Sequence, residues 1–101
     1  MTISNSFREF AEKQPDLLSP VISKEMINAG YNFTQFRGSD YSIPDPSWES
    51  IVDNLGGIEA IDAEYDGSNM FTVKHIKTGI EITSNGPVDA LASLWLAIKK
   101  Y

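Results

Sequence analysis

The chain has 101 residues, 42% apolar and 22% charged, with no cysteine and a formal charge of −6. That is one globular domain, long enough to bury about two-thirds of its unfolded surface without a metal or a disulfide. The missing cysteine excludes a disulfide framework, a thiolate nucleophile and a thiolate-ligated zinc site.

Acidity is concentrated in the second half. Residues 1–44 hold four basic and five acidic side chains, residues 45–101 four basic and nine acidic. Such a surface repels phosphate at long range, disfavours nucleic acid and suits a basic protein partner. Met1 to Ser6 lacks a basic start ahead of an apolar run, and no apolar stretch reaches the roughly 18 residues of a membrane span. A cytoplasmic protein that makes no use of a membrane is the expectation.

In chain order, Ser6 and Glu9 form the pattern of a capping box, with Phe7, Phe10 and Ala11 sharing one face of the helix that follows. Ser19-Pro20 opens a second helix, with serine as cap and proline at the first position. Its apolar stripe is Ile22, Met26 and Ala29, and Gly30 is the stop. Tyr31 to Pro44 reads either as an edge strand with a loop or as extended chain packed by its rings; the second is preferred.

Asp45 as cap with Pro46 then begins a third helix, in which Trp48, Ile51, Val52 and Leu55 make one stripe before Gly56-Gly57 ends it. Ile61, Ala63 and Tyr65 alternate with Asp62, Glu64 and Asp66, the period of a half-buried strand. Asp66-Gly67-Ser68-Asn69 is a turn. In the next hairpin, a four-residue loop at Ile76-Lys77-Thr78-Gly79 pairs Val73 with Ile82 and His75 with Ile80 inside, and Lys74 with Glu81 outside. A slip of one residue spoils both faces.

Asn85-Gly86-Pro87 turns into a last helix whose polar stripe is only Asp89, Ser93 and Lys100, with Leu96 on the same side. A helix this apolar must be covered on more than one side. The N-terminal helices are the expected cover, and a second copy of the chain, as a homodimer through this helix, is the alternative. The expected fold is α+β, a small three-stranded antiparallel sheet covered by helices in the order ααα-βββ-α. It is a single domain over residues 1–101, with 1–44 a helical and aromatic extension and 45–101 a helix–strands–helix sandwich.

Trp48-Glu49-Ser50-Ile51-Val52, the hairpin, and Asn85-Gly86-Pro87-Val88-Asp89-Ala90-Leu91-Ala92 opening an alanine-rich helix are the carriers of a resemblance. Over residues 45–101 the chain resembles the phage ABA sandwich domain family. The resemblance implies an αββα-type sandwich and a phage or prophage origin, and implies no activity.

Candidate chemistry is sparse. His75 is the single histidine, on the expected inner face, and no serine sits in a G-x-S-x-G turn, so a structural role is preferred. Asp62-x-Glu64-x-Asp66-Gly67 matches the opening of a calcium loop, but its twelfth position is Val73 where a bidentate glutamate is needed. The glycines form no phosphate cradle. No catalytic residue, metal ligand or cofactor is expected.

The expected function is therefore non-enzymatic, a protein–protein contact. Its surface is either the acidic strand face with Asp62, Glu64 and Asp66 or an apolar flank at Leu94, Leu96 and Tyr101. The alternative is a small-ligand or single-stranded nucleic-acid module that stacks its ligand on Tyr31, Phe33, Phe36, Arg37 and Tyr41.

Overall fold

The computed structural model describes residues 3–13, 18–33, 36–37, 43–44 and 47–100. Its elements are α1 (Asn5–Lys13), α2 (Pro20–Asn28), β1 (Phe36–Arg37), β2 (Ile43–Pro44), α3 (Trp48–Asn54), a single 3-10 turn (Ile58–Ala60), β3 (Ile61–Tyr65), β4 (Phe71–His75), β5 (Glu81–Ser84) and α4 (Pro87–Lys100). The fold is α+β, and its main elements follow the expected order.

Ser4 caps α1, not Ser6. Ile3 makes a parallel bridge to Ala63, and the Ser4 amide donates to the Ala63 carbonyl at 2.8 Å, which holds the chain extended up to Ser4. The Ser4 hydroxyl then accepts from the Phe7 amide at 3.2 Å, and the capping box at Ser6 and Glu9 does not form. Phe7 and Ala11 are buried and Phe10 is partly so, as their spacing requires.

Ser19 and Pro20 open α2, but the Ser19 side chain makes no capping bond. The buried face of α2 is Ser23 and Met26 with Ile22 half-buried, whereas Ala29 is exposed. The helix ends in a Schellman motif, with Tyr31 donating to the Met26 carbonyl at 2.9 Å and Gly30 to Ile27 at 3.1 Å. Gly30 takes φ +96°, a conformation that strains any residue with a Cβ.

Residues 31–44 contain more ladder than the sequence suggested. β1 pairs antiparallel with β2, Phe36 opposite Pro44 and Arg37 opposite Ile43, as a separate two-stranded sheet. The preferred reading as extended chain without a strand is corrected at these four residues.

The cap of α3 is Ser47, whose hydroxyl accepts from the Ser50 amide at 3.2 Å, so the helix begins two residues later than Asp45 and Pro46 implied. Those two residues lie outside the described part. Trp48, Ile51, Val52 and Leu55 are all buried, as their spacing demands. The single orphan among the described residues is the Trp48 indole N–H, buried without an acceptor. An orphan of this kind costs about 1–3 kcal/mol, offset by burial of the ring and by Arg8, whose guanidinium stands 5.5 Å from the ring centre.

The main sheet has the order β3-β4-β5, antiparallel throughout. Val73 faces Ile82 and Lys74 faces Glu81. His75 donates to the Ile80 carbonyl at 2.8 Å, and Gly79, at φ +76°, donates to the His75 carbonyl at 2.8 Å. These bonds confirm the four-residue loop at 76–79. Rings from three elements close one end of the core. Phe7 and Phe10 each meet Phe71 edge-on at 5.6 Å, and Tyr65 lies 4.9 Å from Phe71.

The helix α4 crosses the inner face of this sheet and touches α1, α2, α3, β4 and β5. Val88, Ala90, Leu91, Ala92, Leu94, Trp95 and Leu96 are buried along it. Each fully buried leucine contributes about 1.5–3 kcal/mol. Among the described residues the chain's own helices and sheet supply the cover, and nothing supports the alternative of a homodimer through α4.

Candidate interaction surface

Strand alternation divides the main sheet into two chemically different faces. Ile61, Ala63, Phe71, Val73 and His75 point inward and are buried, with Ile80 and Ile82 half-buried beside them. The other face carries Asp62, Glu64, Thr72, Lys74, Glu81 and Thr83. On it Glu64, Lys74, Glu81 and Thr83 are exposed, and Asp62 and Thr72 are half-buried.

The register arranges these side chains in two rows across the strands. Asp62, Lys74 and Glu81 form one row and Glu64, Thr72 and Thr83 the other. Thr72 and Thr83 hydroxyls lie 3.1 Å apart, the close approach of a cross-strand pair that shares no backbone bonds. Asp66 stands just beyond β3. Its carboxylate accepts from the Ser68 amide at 2.9 Å and the Ser68 hydroxyl at 2.8 Å, an Asx turn. These bonds, the backbone one first, hold its pKa below the ordinary aspartate value. With Glu81 included, the face and its adjoining turn carry four carboxylates against the one ammonium of Lys74. The sequence reading missed Glu81 as part of this surface, although its pairing with Lys74 had already placed it there.

The other candidate surfaces fare differently. Leu94 is fully buried, and Leu96 is 6% exposed at the floor of a depression of about 440 Å³ between the ends of α2 and α4. The expected apolar flank at these two positions is thus consumed by packing, and Tyr101 lies outside the described residues. Tyr31 is buried, edge-on to Trp95 at 5.1 Å and 4.7 Å from Phe33. Its hydroxyl lies 3.4 Å from the Ser50 hydroxyl and accepts from Asn54 Nδ2 at 3.4 Å. This ring is a core residue that ties the segment after α2 to α3 and α4. The side chains of Phe36 and Arg37, and the whole of Tyr41, lie outside the described part.

His75 is 9% exposed, and its Nδ1 lies 2.9 Å from the Thr78 hydroxyl, which also accepts from the Ile80 amide at 3.3 Å. The imidazole thus staples the hairpin loop. It borders a cleft of about 330 Å³ with Asn54, Leu55, Trp95, Ile98 and Lys99, and no carboxylate of the described residues lines it. Among the described residues no acid is placed to orient the ring as the third member of a nucleophilic triad. Asp62 and Glu64 point off one strand face while Asp66 is turned to Ser68, and Val73 at the twelfth position is buried, so the calcium-loop pattern does not converge. Among the described residues no group of three or more potential ligands is placed to hold a metal ion, and no helix is long and apolar enough to cross a membrane.

Comparison of the chain with known families, curated proteins and solved structures returns no match.

Proposed function

We propose that this chain is a small, non-enzymatic, phage- or prophage-related protein of the cytoplasm that acts through protein–protein contact. The working surface is the acidic outer face of the sheet and the occupant is a basic protein. The observation that carries this reading is the division of the sheet. The inner face, α4 and the flank around Leu94 are committed to packing, while Glu64 and Glu81 are exposed and Asp62 half-buried on the outer face, with Asp66 in the adjoining turn. Fixed carboxylates in a regular array speed encounter with a cationic partner and repel an acidic one. The phage assignment rests on the resemblance of residues 45–101 alone.

The test is binding to immobilised lysine- and arginine-rich peptides, comparing the native chain with one carrying Asp62→Lys, Glu64→Lys and Asp66→Lys. Binding by the native chain that weakens with salt and disappears on charge reversal supports the reading. Binding that is absent, or that survives the reversal, contradicts it.

A further inference from the structure

The two edges of the main sheet are treated unequally. At β3 the edge is closed by the chain itself, through the Ile3–Ala63 bridge and the Ser4 amide on the Ala63 carbonyl. At β5 it is open. Because the His75 amide donates to the Ile80 carbonyl and the ladder alternates from there, Ile82 also faces β4 with its backbone, and the amides and carbonyls of Glu81 and Thr83 point away from the sheet. Exposed edges are normally blunted by short length, by charged side chains (above all lysine), by proline or by a bulge, and of these β5 has its short length and the charge of Glu81. Glu81-Ile82-Thr83-Ser84 has no proline, lysine or bulge, and Ile80 and Ile82 are less buried than the matching residues of β3 and β4.

We propose that β5 is a self-association edge, and that its occupant is the β5 strand of a second copy, antiparallel about a two-fold axis at Ile82. This inference is independent of the partner proposed for the sheet face. Only certain registers are open to such a pair. An axis at Glu81 opposes two glutamates, which is unfavourable. An axis at Ile82 sets Glu81 against Thr83 of the second copy, and each of these two residue pairs exchanges both backbone bonds. It also brings the two Ile82 side chains together on the inner side and completes their half-finished burial. Two three-stranded sheets become one of six strands. The contact is small, and each copy carries a charge of −6, so the dimer is weak and tightens as salt screens the repulsion.

Thr83 supplies the test, because its side chain is exposed and its amide is not used by β4. Thr83→Lys places an ammonium opposite Glu81 twice in the dimer and strengthens association roughly 2- to 30-fold. Thr83→Glu opposes like charges and weakens it by a similar factor, and Thr83→Pro removes the edge donor and leaves a monomer. Sedimentation equilibrium of the peptide-free chain reads all three, with circular dichroism confirming that each variant is folded. If Thr83→Pro fails to fold, the opposite shifts of the lysine and glutamate variants decide alone. A native chain that stays monomeric up to about 1 mM, or a dimer indifferent to the charge at position 83, overturns the proposal.

Discussion

The backbone amide of Ser19 donates to the Asp89 carboxylate at 3.0 Å, across seventy positions of sequence. One acid in the first turn of α4 thus receives the first turn of α2, and the two helices are tied at their starts. The start of α2 is therefore fixed by a tertiary partner, while the Ser19 side chain makes no capping bond. Asp89→Ala leaves the Ser19 amide half-buried without an acceptor and removes a favourable charge from a helix N-terminus. The expected loss is about 1–3 kcal/mol, read by urea unfolding. Asp89→Asn keeps an acceptor and loses less.

Ser4 and Ser6 are predicted to separate cleanly. Ser4→Ala removes the hydroxyl that accepts from Phe7 and costs about 1 kcal/mol. Ser6→Ala costs a few tenths at most, since its side chain is exposed and makes no capping bond. Equal losses in thermal or chemical unfolding contradict the observed helix start.

Leu94→Ala is predicted to cost about 2–5 kcal/mol, the loss for a fully buried leucine whose surroundings cannot collapse. A cost below 1 kcal/mol marks Leu94 as a surface residue and restores the apolar flank.

Asp66 titrates below the ordinary aspartate value of about 3.9, because the Ser68 amide and hydroxyl bind its ionised form. A depressed folded pKa means that its contribution to stability is complete above the unfolded value. It fades as pH falls below about 4 through the folded value. Carboxyl NMR titration reads this directly. Ser68→Ala, which keeps the amide and loses the hydroxyl, moves the midpoint part of the way up.

The sequence made the hairpin register legible because two independent signals agreed: apolar alternation at Val73 and Ile82, and opposite charge at Lys74 and Glu81. The need to cover α4 on more than one side was equally readable, though not whether the N-terminal helices or a second copy of the chain supplies the cover. Helix starts were harder. Ser4 and Ser6 offer the same hydroxyl two residues apart, and the choice between them is made by the distant Ile3–Ala63 bridge. At α3, Asp45 and Ser47 present the same ambiguity. Periodicity identified Leu94 and Leu96 as apolar but not what lies against them, so a packed flank was read as a docking surface. The outward placement of Asp62 and Glu64 was legible because alternation assigns a strand's faces; Asp66 lies just past the strand, where alternation no longer holds. The open edge at β5 was not, because it depends on which strand has no neighbour.

The account stands most directly on where a cationic partner touches. Titrating the native chain with a short arginine-rich peptide, while following its backbone amide NMR shifts, locates that contact. Shifts concentrated on Asp62, Glu64, Lys74, Glu81 and Thr83 are predicted. Shifts confined to the ends of α2 and α4, or none at all, contradict the acidic sheet face as the working surface.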